Sequence, residues 1–559
     1  MAALAYALPL LMLASALAVR LSAPRLGPFV ARISVGASAL VFALAVILFS
    51  VQLSAESGRL VGIGLGLFTL YVDWLSTLMA LLVSGVSLVV HVFSVRYMQD
   101  DPAYTRYFML LDGIVAVILL MVMAGDLLTL LLAWHLVGVF LYFLLNHDRR
   151  RPAATRYAFW TLFMHRFGDL PLLAAVALIY HAFGTLTLPE VFAAMAAAPN
   201  TTTLLGLPLA ETLGVLILLA AFAKSAQFPL HTWLPYTMDG PTPVSALMHA
   251  GIVNSGGFLI NRFAPVFVHT EGVLLLAFAV GLITTIMGSL MMLMQSDIKK
   301  ALGYSTMGQM GYMVMECGLG AFSLAIYHLI AHGVFKATLF LGSGAIIGNA
   351  RKDPNIPEGE IYQFMVERKV PHPPVSWVIF AGITITVPLL IVFGAHQLVD
   401  EGFLHHQGAL ILLLFGWITG AQTLFFVYKI GGERPFTLLL YVILSFGLVI
   451  MTYVLVGHAF DALLYPDPAF REALYAAASV NFTSFLLALL LLIALIAGGW
   501  LMVFRSTAER QPLNRRWRGV YLNLYALMSR EFYIADLYSR AGETILAASK
   551  RLNTLLHWV

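Results

Sequence analysis

The chain has 559 residues, of which 60% are hydrophobic and only 11% charged. A soluble domain carries about 25% charged residues, and no soluble fold hides so large an apolar fraction, so the surrounding solvent is lipid. The net charge of +4 excludes nothing until its 32 basic residues are placed along the chain, whereas the single Cys317 excludes a disulfide framework and a Cys-based zinc site.

In chain order, segments apolar enough to cross about 30 Å of hydrocarbon fall at 3–20, 30–52, 66–95, 105–124, 127–146, 156–180, 207–228, 243–266, 271–293, 301–318, 322–347, 374–396, 407–428, 436–458 and 479–504. The first lacks a basic leader and a second span follows at once, so it reads as a membrane helix rather than a signal peptide. The pattern predicts an all-α polytopic membrane protein of 14–15 transmembrane helices. Alternate connections hold 26 of the 32 basic residues, among them Arg20, Arg96, Arg149 to Arg151, Lys299, Lys300 and nine in the tail after 504. By the positive-inside rule, the N-terminus is expected outside and residues 505–559 in the cytoplasm.

Three bases fall inside spans: Arg166, Lys224 and Lys336. The acids inside spans are Asp112, Asp169 and Glu316, with Asp73 near an entry, joined by His91, His135, His165, His249, His328, His332 and His458. Ionisable groups in hydrocarbon are costly and mark ion pathways, although single histidines also serve as interior polar bridges between helices. Histidine titrates near neutrality and a lysine taken from water moves toward it, so together the set can pass protons.

His328, His332 and Lys336 are spaced i, i+4, i+8, drifting about 40° and rising about 6 Å per step, which places them on one helix face. A proton-hopping stripe is one reading. A zinc site is the other, lacking the glutamate of His-Glu-x-x-His and any evident third ligand. Lys224 lies five residues before Pro229, where a helix should break; Pro388 in 374–396 marks a second break or a simple kink. Paired interrupted helices point to a transporter's midplane site. Arg166 and Asp169, one turn apart, either join the pathway or merely neutralise each other.

Three stretches, Lys224-Ser-Ala-Gln-Phe-Pro-Leu-His-Thr-Trp233, Gly240-Pro-Thr-Pro-Val-Ser-Ala-Leu-Met-His249 and Asp297-Ile-Lys-Lys-Ala-Leu-Gly-Tyr-Ser-Thr-Met-Gly-Gln-Met-Gly-Tyr312, resemble the signatures of the proton-translocating membrane subunits of respiratory complex I and the Mrp antiporters, most of all subunit L. The resemblance runs from about 65 to 345. It implies two inverted five-helix repeats with broken helices, at 105–266 and 271–428, between N-terminal helices (1–104), C-terminal helices (429–504) and a basic tail (505–559). It also implies that Lys224 is the central proton carrier, with His249, His328, His332 and Lys336 as the connecting axis.

Three departures qualify it. The family's Trp-Glu-Gly-Val-Gly motif is here Trp134-His135-Leu136-Val137-Gly138, so a histidine stands where the lysine's acidic partner is expected. The second broken helix has no ionisable residue before His396, only the polar Thr384 and Thr386. The long lateral C-terminal helix of subunit L is replaced by a tail of net charge +5. These losses, with Met248 to Pro265, resemble the DabB membrane subunits of bacterial inorganic-carbon-accumulating complexes. That resemblance implies the bacterial inner membrane, a cytoplasmic zinc-binding partner of the DabA type similar to a β-carbonic anhydrase, and cation flow that powers it.

The expectation is a cation-conducting pathway, read as one for protons, through Lys224, His249, His328, His332, Lys336, His135, Arg166, Asp169 and Glu316, without catalytic chemistry, cofactor or metal in this chain and without a nucleic-acid partner. The alternatives are a pump subunit of a redox complex or antiporter, and a scaffold that has lost transport. The tail is suited either to anionic lipid or to a partner, and the sequence does not choose between H⁺ and Na⁺.

Overall fold

The computed structural model describes residues 1–54, 58–62, 68–270, 272–295, 297–352, 377–399, 411, 435–478, 480–483, 485–487, 490 and 515–555. Nine helical stretches among the described residues are long and apolar enough to cross a membrane, the first two helices counting as one stretch. The predicted span 407–428 lies outside the described residues except for residue 411, and 479–504 is described only at 480–483, 485–487 and 490.

Helices α1 (Ala2–Leu26) and α2 (Val30–Gln52) are joined at Gly27, whose φ of 53° suits glycine. A short antiparallel pair follows, β1 (Arg59–Val61) and β2 (Leu70–Val72), with Arg59 opposite Val72. α3 (Trp74–Tyr97) therefore begins eight residues later than the predicted span at 66. The reason is local. Asp73 accepts from the Ser76 backbone N–H at 2.8 Å, and the Ser76 hydroxyl accepts from the Asp73 N–H at 2.8 Å, a capping box that fixes the helix start.

α4 (Tyr104–Val122), α5 (Leu127–Leu145) and α6 (Pro152–Phe183) cross in turn, and α7 (Leu188–Ala197) follows without spanning. α8 (Leu209–Lys224) stops at the lysine; α9 (Thr242–Leu247), a π-turn (Met248–Ile252), α10 (Ser255–Arg262) and α11 (Ala264–Phe267) share the next crossing. α12 (Val273–Leu293), α13 (Ile298–Gly318), α14 (Phe322–Lys352), α15 (Trp377–Val399), α16 (Pro435–Leu464) and the short α17 (Pro468–Ala477) complete the membrane part. The tail forms α18 (Arg515–Ser529) and α19 (Ile534–Leu555).

Residues 59–61, 70–72, 124, 126 and 187 meet at one end of the bundle through strand pairs and bridges; this is the hairpin end. The opposite, tail end carries Tyr97 bonded to Thr242 at 3.0 Å, and Arg156 donating to Ser539 of α19 at 3.3 Å.

Lipid supplies no hydrophobic drive between helices, so close backbone approach does the work. A Cβ on Gly281 of α12 would fall 2.5 Å from the Met315 nitrogen, and one on Gly311 of α13 would fall 2.6 Å from the Thr285 nitrogen. At the hairpin end the Arg262 guanidinium, buried at the end of α10, holds Asp73 with two contacts of 2.5 and 3.1 Å. A bidentate pair of this kind fixes α10 against the start of α3.

The expected second break does not occur. α15 runs continuously from Trp377 to Val399 with Pro388 inside it. A proline removes one backbone donor, and neighbouring groups in a bundle can absorb that loss without ending the helix.

Candidate ion pathway

The first break lies where the lysine predicts it, and its chemistry is a helix C-terminus buried inside protein. Such an end leaves carbonyls without partners. Here the Gln227 N–H reaches back to the Phe222 carbonyl at 2.9 Å, with Ala226 left-handed at φ 49°, a Schellman-type closure in which glycine is the usual residue. The Trp233 indole donates to the Ala223 carbonyl at 3.0 Å. The Ser225 hydroxyl donates to the Val253 carbonyl at 2.5 Å and accepts from the Gly256 N–H at 3.1 Å, tying the break to α10.

Lys224, fully buried, is the last residue of α8, where the helix dipole favours a cation. Its ammonium donates to the Trp134 carbonyl and lies 4.1 Å from the Trp134 ring centroid, a cation–π contact made outside bulk water. His135 faces away toward α6. Its Nδ1 lies 2.8 Å from Asp169 Oδ2, and Arg166 Nη1 lies 3.0 Å from the same oxygen. The i, i+3 pair therefore forms, but it does not close on itself: Asp169 is shared by Arg166 and His135, and both Asp169 and Arg166 interact electrostatically with Lys224. The carboxylate that interacts with Lys224 here lies on α6, not on α5.

Glycine makes this cluster possible. A Cβ on Gly138 would sit 2.7 Å from Arg166 Nη2 and 3.1 Å from His165 Nδ1. His165 is buried, packs edge-on against Trp233 at 4.7 Å, and interacts with both Lys224 and Arg166. Outward from His135, Arg166 and Asp169, a cavity of about 690 Å³ runs between apolar walls that include Leu132, Leu170 and Leu173. The His135 side chain is 46% exposed there, against 11% for Asp169.

The second group of predicted residues lies around α14. His249 sits in the π-turn, an irregularity that often accompanies functional sites, and its ring stacks on Phe340 at 4.2 Å. A Cβ on Gly333 would fall 3.0 Å from the Ala250 carbonyl, so the residue after His332 lets α14 press on that turn. His249, His332 and Lys336 interact electrostatically with one another, and the His328 and His332 rings are 6.4 Å apart. His328 continues the line through Nδ1 to Glu316 at 3.1 Å and through Nε2 to Gln309 at 2.8 Å. Lys336 donates to the Leu302 carbonyl at 3.5 Å. The ring nitrogens of His165, His249 and His332 are buried and reach no hydrogen-bond partner among the described residues.

Residues 124–421 match the family described as NADH:quinone oxidoreductase/Mrp antiporter, TM, and residues 67–108 match the complex I chain 5 N-terminus. The Halothiobacillus neapolitanus protein named probable inorganic carbon transporter subunit DabB1 is 52% identical over 560 residues, covering 99% of both chains. The chain belongs to the NADH:quinone oxidoreductase/Mrp antiporter family, in its DabB branch. NADH-quinone oxidoreductase subunit L of Mycobacterium tuberculosis is 41% identical over 283 residues, which are 50% of the DabB-type chain and 44% of the mycobacterial one. Among solved structures, the Mrp complex from a Dietzia species matches with a TM-score of 0.55 at 24% identity, covering 99% of this chain and 62% of that one. The membrane-bound sulfane sulfur reductase, an archaeal respiratory membrane complex, matches with 0.56 at 19% identity, covering 87% and 98%. These two likenesses show the fold.

Several groups in the DabB-type site escape a reading for charges alone. Trp134 holds Lys224 with a backbone carbonyl and a π face, neither of which a search for titratable residues registers. Gln309 was findable, since Gln309 and Glu316 are seven apart on α13 and so share a face. Glu531 had no such signal. It is a buried acid in a basic tail, set in a turn where Glu531, Phe532 and Tyr533 are all left-handed with φ of 55–58°. Non-glycine residues hold that conformation only when surrounding contacts impose it. Glu531 accepts from the Tyr304 hydroxyl and lies 3.6 Å from Lys300 Nζ, while Tyr538 packs on Trp160 at 5.7 Å. Burial, then the Glu531 charge, pushes the Tyr236 phenol above its ordinary value. Between lipid and partner, part of the tail thus has a third occupation: it docks on its own bundle.

Proposed function

We propose that this chain is the proton-conducting membrane subunit of a bacterial inorganic-carbon uptake complex. Protons moving through it power a cytoplasmic, zinc-binding, carbonic-anhydrase-like partner. The observation that carries this reading is Lys224 at a buried helix break, held by Trp134 and flanked by His165 and the His135–Arg166–Asp169 cluster. A cation there exchanges its carbonyl for a neighbouring base at small structural cost.

The remaining steps follow from the side chains in order. Asp169 and His135 offer a partly exposed intake beside the apolar cavity. His165 stands between that cluster and Lys224. Beyond the break, His249, Lys336, His332, His328 and Glu316 form a line of groups that alternate between holding and releasing a proton. Buried ring nitrogens without protein partners suit hydration or a moving proton better than a packed core. The basic connections and the tail end face the cytoplasm of the inner membrane in this reading, so the partner docks on the side that carries α18 and α19. The relationship to DabB1 extends over the whole chain, whereas that to subunit L covers half of it, and α15 offers no ionisable group from Trp377 to Ala395 for a pump's exit.

The test is growth of a carbonic-anhydrase-deficient bacterium in ambient air, expressing the chain with its partner. Wild type should restore growth and Lys224→Ala should not, with equal membrane levels of both. Full restoration by the variant contradicts the role given to the lysine.

A further inference from the structure

A second polar cluster lies inside the membrane part, among α1 to α4 and away from the lysine axis. Asp112 on α4 and His91 on α3 are both fully buried, with His91 Nε2 2.9 Å from Asp112 Oδ1. The Ser15 hydroxyl of α1 donates to Oδ2 at 2.7 Å, and the Ser34 hydroxyl of α2 donates to Oδ1 at 2.5 Å. On the other side of the ring, His91 Nδ1 lies 2.7 Å from the Ser87 carbonyl and 3.1 Å from the Ser87 hydroxyl, which meets Ser38 at 3.2 Å.

The geometry counts protons. A carbonyl oxygen only accepts, so Nδ1 carries hydrogen. Nε2 then faces a carboxylate oxygen at hydrogen-bond distance, and two bare acceptors would repel there. A proton therefore lies between them. The pair holds one proton more than a carboxylate beside a neutral imidazole, and it is neutral as a whole. Losing that proton leaves a net negative charge in hydrocarbon, which is costly without compensation.

A way in from the tail end is also visible. Ser94, nearly one turn beyond His91 on α3, meets the Tyr107 hydroxyl of α4 at 2.8 Å. The Tyr107 ring stands edge-on to the His147 ring at 5.7 Å, and His147 Nε2 lies 3.0 Å from Asp101, whose side chain is 29% exposed. Arg106 donates to the His147 carbonyl at the same mouth. None of the residues assigned to the lysine axis takes part.

We infer that His91 and Asp112 form a second proton-binding site, loaded from the tail end through Asp101, His147, Tyr107 and Ser94. On loading, a proton from water at Asp101 reaches the Nε2–Oδ1 contact. On release it returns the same way, leaving the Asp112 carboxylate held by Ser15 and Ser34 and the imidazole hydrogen on Nδ1. The groups meeting the pair are Ser15 from α1, Ser34 from α2, Ser87 from α3 and Phe108 from α4, with Ser38 behind Ser87 and Tyr107 edge-on to Phe108. Its role in transport rests on the proton-conducting reading above.

The full chain with its partner, reconstituted in liposomes, tests this by proton flux and by infrared titration. Wild type should show the infrared signature of one buried pair that exchanges a proton, a signal absent in Asp112→Asn, and Asp112→Asn should slow proton flux at least threefold. Tyr107→Phe and Ser94→Ala, which leave the pair in place, should keep the signal but slow its exchange and the flux. These two decide the matter if Asp112→Asn does not fold. Wild-type flux in every folded variant, with no titrating pair, overturns the inference and leaves Lys224 untouched. Absence of flux in wild type itself defeats the conducting reading, and the infrared titration then still decides whether the pair binds a proton.

Discussion

The two lysines of the candidate pathway sit in opposite kinds of helix. Lys224 ends α8, with its ammonium on a backbone carbonyl and an indole face and a charged cluster on the neighbouring helix. Lys336 lies within the unbroken α14, donating to the Leu302 carbonyl, with a line of histidines along its own helix and Glu316 bonded to the far end of that line at His328. Proline does not explain the difference, since Pro229 follows a break and Pro388 sits inside a continuous helix. What distinguishes the first site is partners for the freed helix end: the Gln227 N–H on the Phe222 carbonyl, the Trp233 indole on the Ala223 carbonyl and the Gln227 side-chain amide on the Ser225 carbonyl. A buried break is stable where its carbonyls are satisfied, and proline only permits it.

The largest effect should separate the lysines. Lys224→Ala should remove proton flux in reconstituted vesicles, and Lys336→Ala should slow it by about tenfold, equivalent to ~1.4 kcal/mol of barrier. Equal loss in both would erase the distinction between a central carrier and a link in the line. Asp169→Asn comes next. It removes the carboxylate that answers Lys224 while preserving size, so flux should fall severalfold with the thermal unfolding midpoint little changed; wild-type flux would return the arginine–aspartate pair to mere mutual neutralisation.

Two glycines probe the supports of each site. Gly138→Ala should displace Arg166 and His165, and Gly333→Ala should push α14 from the Ala250 carbonyl. Each is expected to reduce flux more than stability, the first more than the second, read by flux beside thermal unfolding. Smallest of all, Pro388→Ala should leave flux unchanged and stabilise α15 by up to about 3 kcal/mol, the cost of proline in a helix interior. A marked loss of transport there would restore the second break as a working part.

How much was legible follows the physics of each signal. Composition and basic loops exposed the membrane helices because lipid demands long apolar runs. The boundaries of α3 failed at 66 because the capping box at Asp73, a local hydrogen-bond device, outweighs apolarity. Lys224, His249 and the α14 histidines were visible because ionisable groups are rare in such segments. Trp134 was not, since its contribution is a backbone oxygen and a ring that look like core. Glu531 was hidden by the basic stretch around it, because its partners Tyr304 and Lys300 lie more than 200 residues away in sequence.

The most direct test of the central claim is proton flux into liposomes holding the full chain with its partner, comparing wild type with Lys224→Ala under an imposed pH gradient. The account predicts flux in wild type and none above empty liposomes in the variant. Equal rates in the two would contradict it.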